Sequence, residues 1–195
     1  MTSADLKTEA LCWLRFGKKL SYICTEVGKW NADAFGCNEA YSVEIEVKIS
    51  KADLRHEFKS KAAKHYSYRN GHALAPNYFY FYVPSELVDE ARTLVEANFP
   101  EAGIAAYIPG VSRLAGRLTE VIKRPKRLHE GKPTPRIIRE TILRMGSEIC
   151  GLYTKNQRWH HEMGQYLEGI DSKVVAAVKE MAATPDYEET DGNQT

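Results

Sequence analysis

The segment Ser42–Ile49 constrains the fold of this chain more than any other stretch. Valine and isoleucine occupy every second position of the segment, and Glu44, Glu46 and Lys48 lie between them. A period of two is typical of a β-strand with one apolar face, because successive side chains point to opposite faces. The sequence therefore predicts a strand that presents two carboxylates and an ammonium group on its polar face.

A further acid, Asp33, precedes this strand on a neighbouring predicted strand. Carboxylate oxygens are ligands that Mg²⁺ prefers, and an ammonium group beside a metal can orient an attacking water. Acid-x-Lys spacing alone carries little weight, since it also occurs at Asp5 and Glu57. The strand context and Asp33 favour a metal site at Glu46 and Lys48, whereas the alternative interpretation is the solvent face of a sheet.

Helices and strands alternate along most of the chain. A helix is predicted over 5–18 with Ser3 as its N-cap, and the segments that follow it are strands 20–27 and 29–35, helix 51–68, strand 77–83, helix 85–98, and strands 104–108 and 118–122. The aromatic strand 77–83 is expected at the centre of the sheet, with its tyrosines packed rather than stacked on bases. We therefore expect an α/β protein with a mixed sheet, in which an antiparallel meander is followed by at least one parallel crossover.

The C-terminal third has a different composition. Residues 123–135 are basic and proline-rich, residues 136–181 return to helical patterns, and residues 184–195 are acidic without apolar anchors. We expect a core over 1–127, a helical extension of the same domain over 128–183 and a disordered acidic tail over 184–195. The sequence shows no secretory signal and no apolar run of membrane-spanning length, so we expect a cytoplasmic protein with reduced cysteines and no membrane partner.

Several short motifs occur in a characteristic order. They are Ala32-Asp33, Glu44-Ile45-Glu46-Val47-Lys48, Ser50-Lys51-Ala52-Asp53-Leu54, Lys64-His65-x-x-Tyr68 and Tyr80-Phe81-Tyr82-Val83-Pro84. This order resembles the PD-(D/E)XK nuclease superfamily, near its small bacterial and phage proteins related to DNA-repair nucleases. The resemblance covers residues 9–127 and implies a restriction-endonuclease-like core: helix, three-stranded meander, helix, strand, helix, strand. Alanine stands where the superfamily's name has proline.

The resemblance also implies an activity and a set of site residues. It implies a DNA endonuclease in which Asp33, Glu46 and the main-chain carbonyl of Val47 hold Mg²⁺, with Mn²⁺ as a substitute. Lys48 would position or deprotonate the attacking water, and Glu9 on the first helix would be an accessory acid. A hard cation suits phosphodiester hydrolysis because it neutralises the phosphate oxygens and lowers the pKa of water.

Three further residues are candidates for the site. Glu44 is interpreted as a surface residue, and Glu26 is open between the site and the surface. His65 binds a DNA phosphate, lines the site or lies on a helix surface. The net charge is +1, so attraction to DNA must come from local basic patches. The predicted DNA-binding residues are Lys51, Lys61, Lys64, Lys123, Arg124, Lys126 and Arg127.

The alternative hypothesis is a catalytically inactive module of the same fold that binds nucleic acid or a protein partner. Metal binding distinguishes the two, because only the nuclease requires it. A homodimer formed through the C-terminal helices is a further alternative that the sequence leaves undecided. A metal-free enzyme built on cysteine and histidine has little support, since the four cysteines have no paired spacing.

Overall fold

The computed structural model describes residues 1–71, 75–109 and 119–183. Its centre is a mixed six-stranded sheet, whose strands in chain order are β1 (Tyr22–Cys24), β2 (Ala34–Cys37), β3 (Ser42–Val47), β4 (Tyr78–Pro84), β5 (Gly103–Tyr107) and β6 (Thr119–Lys123). The strands lie side by side in the same order. β4 is parallel to both β3 and β5, and the other neighbouring pairs are antiparallel. The predicted meander, the parallel crossovers and the central position of the aromatic strand are confirmed.

The helices are α1 (Ser3–Cys12), α2 (Lys51–Ser60), α3 (Ala62–Arg69), α4 (Val88–Asn98) and α5 (Pro135–Ala183). α1 is capped by Thr2, one residue before the predicted cap, and continues into a π-helical turn over Trp13–Gly17. The single helix predicted over 51–68 is interrupted at Lys61, whose φ of −110° leaves the helical region. The helical patterns of the C-terminal third form one helix of 49 residues.

The sheet is covered on both faces within the residues described. Val43, Ile45 and Val47 pack with α1 on one face. α2, α3 and α4 cover the opposite face, where Phe79 and Phe81 of β4 contribute to a second apolar cluster. The polar face of β3 therefore lies beneath helices rather than against solvent.

The first two strands are shorter than predicted. The sequence favours strands over 20–27 and 29–35, but the loop between β1 and β2 contains three left-handed residues, Glu26, Gly28 and Asn31. Such φ values end a strand, because extended backbone requires negative φ. An isolated bridge from Val27 to Ala32 closes this loop.

The chain divides into two compact units, Met1–Glu148 and Ile149–Thr195. The first unit contains the whole sheet. In the second, the described residues continue α5 and include exposed aromatic side chains such as Trp159 and Tyr166. The predicted disordered tail over 184–195 lies outside the described residues. No helix in the described part of the chain is both long and apolar enough to cross a membrane.

Substitution of Gly103 by alanine tests how closely β4 and β5 pack. A Cβ atom at Gly103 would lie 2.6 Å from the Tyr80 ring and 2.9 Å from Pro125, whereas one at Gly146 in α5 would meet nothing within 4 Å. Gly103→Ala should therefore lower the free energy of unfolding by about 1–3 kcal/mol through overpacking. Gly146→Ala should raise it by about 0.5–1 kcal/mol, because alanine favours the helix. Urea denaturation measures both, and a shift of the same sign in the two variants would contradict this packing.

Candidate active site

The polar face of β3 is buried. Glu44, Glu46 and Lys48 are only 5%, 2% and 6% exposed because α2 and α3 lie across them. The interpretation of Glu44 as a surface residue is therefore wrong. Alternation along the strand predicts which side chains share a face, but it does not reveal what covers that face.

Glu46 lies at the centre of the buried charges. Its Oε1 atom contacts the ammonium groups of Lys48, at 2.9 Å, and Lys61. Its Oε2 atom accepts a hydrogen bond from Lys64 at 2.8 Å. Three cations, one directly after β3, one between α2 and α3 and one on α3, thus meet one carboxylate, which ties β3 to the helices above it.

Glu57 on α2 is a second buried acid, and the sequence analysis did not identify it as a site residue. Its Oε2 atom lies 2.9 Å from Lys48 Nζ and 3.2 Å from Lys61 Nζ. Its Oε1 atom accepts a hydrogen bond at 3.1 Å from His65 Nε2, which therefore carries the ring hydrogen. The spacing of Glu57, Lys61 and His65 at i, i+4 and i+8 is the sequence signal that places them on one side of a helical segment.

Glu44 completes the network through Lys64 and Tyr68. The Nζ atom of Lys64 lies 2.8 Å from both Glu44 Oε1 and Glu46 Oε2, and the Tyr68 hydroxyl donates to Glu44 Oε2 at 2.8 Å. Three carboxylates thus face three ammonium groups. Lys64 is fully buried and contacts both acids. The prediction that it contacts DNA is therefore wrong.

These groups keep one another charged. Burial opposes the charge of Glu46 and Glu57, but the neighbouring lysines, with the His65 hydrogen bond at Glu57, outweigh it and lower both pKa values. Burial likewise opposes the charge of Lys48 and Lys64, yet the adjacent carboxylates raise the pKa of each. Glu46, Glu57, Lys48 and Lys64 are therefore ionised at neutral pH.

Asp33 approaches the same end of β3 from the neighbouring strand. It lies one residue beyond the register pair of Ala34 and Ile45, which sets it opposite Glu46. Its Oδ2 atom accepts a hydrogen bond from the Val47 amide at 2.9 Å, and its Oδ1 atom lies 2.8 Å from Lys7 Nζ. Asp33 thus adjoins the peptide group that links Glu46 to Val47.

The remaining candidate acids lie elsewhere around the sheet, whereas His65 belongs to the buried network through its hydrogen bond to Glu57. Glu9 lies on α1 near Tyr82, whose pKa is raised mainly by burial and further by the charge of Glu9. Glu26 binds Arg144 of α5 at 3.0 Å instead of facing β3. His65 is buried and stacks on Phe99, so its placement on a helix surface is wrong.

The predicted DNA-binding residues differ in their exposure and in the contacts that their side chains make within the protein. Lys123 donates hydrogen bonds to the carbonyls of Pro100 and Ala102, which holds the segment before β5 to β6. Arg124, Lys126 and Arg127 are exposed, and so is Lys51, which lies 3.9 Å from Glu90. These four remain candidates for contact with a phosphate backbone.

The oxygen atoms at the end of β3 are of the chemical type that binds a hard cation. Asp33 and Glu46 supply carboxylates and Val47 supplies a carbonyl, and the Asp33–Val47 hydrogen bond brings them together. Among the residues described, no three His, Cys, Asp or Glu side chains converge as a metal cluster. A set of two carboxylates and one carbonyl does not require such a cluster. Lys61, with a third of its side chain exposed, is the most accessible of the cations that occupy Glu46.

The buried cysteines offer no alternative chemistry. Burial raises the pKa of Cys24 to about 12 and that of Cys37 to about 11. Both thiols therefore stay protonated at neutral pH and are poor nucleophiles. They pack in a small cluster with Val27 and Phe35.

Lys64 tests the strength of the buried network. Lys64→Met should lower the free energy of unfolding by about 3–5 kcal/mol, because it leaves Glu44 and Glu46 short of a cation away from water. Lys59→Met is the matched control, since Lys59 is exposed on α2 and should change stability by less than about 0.5 kcal/mol. Urea denaturation compares them, and equal stability of the two variants would refute the network's role.

The same network predicts a loss of stability in acid. The folded state lowers the pKa values of Glu46 and Glu57. Their contribution is therefore complete above the unfolded value of about 4.3 and declines as the pH falls from there toward the folded-state pKa values. In thermal melts between pH 7 and pH 3, Glu57→Gln should start less stable than wild type and lose stability less steeply. Parallel pH curves for the two proteins would contradict the prediction.

Comparison with known proteins bears on the fold. No protein-family model matches the chain, and no curated protein matches it. A solved structure described as the "SPO1766 protein of unknown function from Silicibacter pomeroyi" is similar, with a TM-score of 0.50 and 14% identity over 80% of this chain and 92% of that chain. At this identity the likeness concerns the fold alone, and it accords with a mixed open sheet flanked by helices.

Proposed function

We propose that this protein is a Mg²⁺-dependent deoxyribonuclease with a restriction-endonuclease-like core. The hydrogen bond from the Val47 amide to Asp33 carries the proposal. It joins Asp33, the residue directly before β2, to the Glu46-Val47-Lys48 segment. An acid on one strand beside a Glu-x-Lys on the next is the arrangement that the sequence resemblance implies. The meander followed by parallel crossovers supports the same core.

Each residue of the segment has a distinct role in this proposal. Asp33, Glu46 and the carbonyl of Val47 would hold Mg²⁺ or Mn²⁺, which supplies neutralisation of the phosphate oxygens and a more acidic water. Lys48 lies 2.9 Å from Glu46 and orients the water or a phosphate oxygen by donating hydrogen bonds. Lys61 is paired with Glu46 and Glu57, but its side chain is partly exposed and would leave them to turn toward a phosphate.

Lys51, three residues after Lys48, would draw DNA to this end of the molecule, whereas Arg124 and Arg127 lie at the other end of β3, near Val43 and Tyr78. Lys51, Arg124, Lys126 and Arg127 provide charge that neutralises backbone phosphates. Such contacts carry no sequence information, because every nucleotide has the same phosphate. Binding should therefore weaken steeply as the salt concentration rises.

One observation favours a second candidate, an inactive module of this fold that binds nucleic acid or a protein. Both oxygens of Glu46 already contact lysines, and Asp33 is paired with Lys7. The lysines thus neutralise these acids without a metal. A protein that never binds Mg²⁺ would be stable with the same contacts.

Cleavage of supercoiled DNA tests the proposed activity. Wild-type protein should nick it with Mg²⁺ or Mn²⁺ and not with EDTA. Asp33→Asn and Lys48→Met should each reduce the rate by about 100-fold or more, since they remove a ligand or the group that orients the water. Asparagine keeps an acceptor for the Val47 amide, so the strand pairing is retained. Asp89→Asn and Lys59→Met, which alter exposed or half-exposed positions on α4 and α2, are the matched controls.

Metal-linked melting separates the two candidates. A nuclease should show a rise in Tm with Mg²⁺ or Mn²⁺ that Asp33→Asn abolishes, because a ligand that binds only the folded state stabilises it. If no DNA form is cut and neither metal shifts Tm, while salt-sensitive DNA binding persists, the inactive module is the correct function. Cleavage by Asp33→Asn at the wild-type rate would remove the site assignment itself.

A further inference from the structure

The second compact unit, which begins at Ile149, presents a row of mostly apolar side chains along α5. This row is called the α5 stripe here, and its members are Ile149, Leu152, Asn156, Trp159, Met163 and Tyr166. They follow one another at alternating intervals of three and four residues, so they lie on one side of the helix. None of the roles proposed for Asp33, Glu46 and Lys48 uses this surface.

The spacing of the stripe is the heptad repeat of a coiled coil. Beginning at Ile149, three successive heptads have a stripe residue at the first and at the fourth position. The opposite side of the helix is polar, with Thr154, His161 and Glu168 one heptad apart. An average interval of 3.5 residues keeps a seam of side chains turned toward a second helix that supercoils with the first. The surface that matches this stripe is therefore another α-helix.

The stripe is open to solvent in the described part of the chain. The exposed fractions of Leu152, Trp159 and Tyr166 are 65%, 55% and 64%. Among the described residues of the second unit, α5 is the only helix or strand. A helix in water depends on packing of its apolar face for most of its stability, and large apolar side chains grouped on one face mark an interaction surface. The partner of the stripe must come from outside this unit.

A second copy of α5 fits the stripe when the two helices run in opposite directions. A pairing of Leu152 with Met163 of the second copy also brings Ile149 to Tyr166, because both pairs are symmetric about a point between residues 157 and 158. A twofold axis through that point makes the two surfaces identical. Each layer then joins a shorter side chain to a longer one, whereas parallel helices would set Tyr166 against Tyr166.

The same antiparallel pairing brings Asn156 to Trp159 of the second copy. The side-chain carbonyl of Asn156 is an acceptor and the indole N–H of Trp159 is a donor, so the two groups can satisfy each other when water is excluded. A polar residue at a first heptad position selects one register of the helices at a cost in stability. Asn156 thus specifies the pairing of the stripe with itself.

Two charged residues beside the seam are complementary in this pairing. Lys155 and Glu162 are both exposed, and each directly precedes a first heptad position. They lie about 10.5 Å apart along one helix, so they do not pair within the chain. In the antiparallel arrangement Lys155 of each copy lies across the seam from Glu162 of the other. The interface therefore gains two ion pairs from one pair of residues.

The exposed side chains supply the area that a stable dimer needs. A covered aromatic side chain buries about 150–250 Å². More than half of Tyr153, Trp159 and Tyr166 is exposed, so these rings in two copies contribute roughly 500–900 Å². The aliphatic members of the two stripes raise the total to about 1,000 Å² or more, the size at which specific interfaces begin.

We propose that the protein dimerises through the α5 stripe, which packs antiparallel against the α5 stripe of a second copy. A flat apolar surface would leave the Asn156 amide without a partner and would not use the charges of Lys155 and Glu162. Dimerisation needs neither metal nor DNA, so it does not rest on the proposed nuclease activity.

Sedimentation equilibrium in EDTA tests the proposal with the full chain. Wild-type protein at micromolar concentration should give twice the chain mass of 22.1 kDa. Leu152→Lys should weaken association by about 100-fold or more, because it places an unpaired ammonium group in the seam. Leu143→Lys is the matched control, since Leu143 is similarly exposed on α5 but lies outside the stripe. Circular dichroism of the sheet's aromatic residues checks that both variants remain folded.

Charge reversal tests the direction of the helices. Lys155→Glu and Glu162→Lys should each weaken self-association by about tenfold, because each replaces two attractions by two repulsions. An equimolar mixture of the two variants should form heterodimers, and the variant that carries both substitutions should self-associate as wild type does. Parallel helices do not place these residues opposite each other, so failure of both rescues would overturn the antiparallel pairing.

A further comparison separates this proposal from other partners and from the nuclease. A chain that stays monomeric at high micromolar concentration, or equal association of Leu152→Lys and Leu143→Lys, would overturn the proposal and leave the stripe to a different protein. Asp33→Asn lies in the first unit and should dimerise as wild type does. A dimer that never cleaves DNA would refute the nuclease alone, and a monomer that cleaves DNA would refute the dimer alone.

Discussion

The contacts of Glu46 with Lys48, Lys61 and Lys64 are the constraint on which the rest of the structure depends. Carboxylates can lie beneath two helices only if cations of equal number accompany them, because unpaired buried charge costs several kcal/mol. Here three carboxylates meet three ammonium groups. Burial and charge balance thus fix how α2 and α3 lie on β3. Because these two helices connect β3 to β4, the same contacts fix the crossover between the two strands.

This network also joins the two ends of the polar face of β3. Lys64 contacts Glu44 at one end and Glu46 at the other, each at 2.8 Å. A change in the charge or position of one carboxylate therefore changes what Lys64 can donate to the other. Glu44 and Glu46 are thus parts of one electrostatic unit.

The sequence predicted the order of the sheet well, because alternating apolar residues and aromatic runs mark strands directly. It did not predict that the face with Glu44 is buried, since period two reveals a shared face and not its covering. The missing signal lay on the helices, where Lys61, Lys64 and Tyr68 repeat at helical spacing opposite the strand acids. The left-handed loop was also missed, because Glu26 and Asn31 adopt a backbone that their residue types rarely require.

Charge balance gives the proposed nuclease a physical condition. The three buried acids balance the three lysines, and the more exposed Asp53 lies 3.7 Å from Lys48 Nζ. Two further positive charges beside Glu46 would therefore exceed the negative charge unless an anion arrives or a cation leaves. A DNA phosphate is such an anion, and Lys61 is the cation best able to leave, because its side chain reaches solvent. Metal and DNA should then each strengthen the binding of the other, since coupling between two ligands is reciprocal. An inactive module has no such coupling, because its lysines already neutralise the acids and DNA would meet only the outer basic residues.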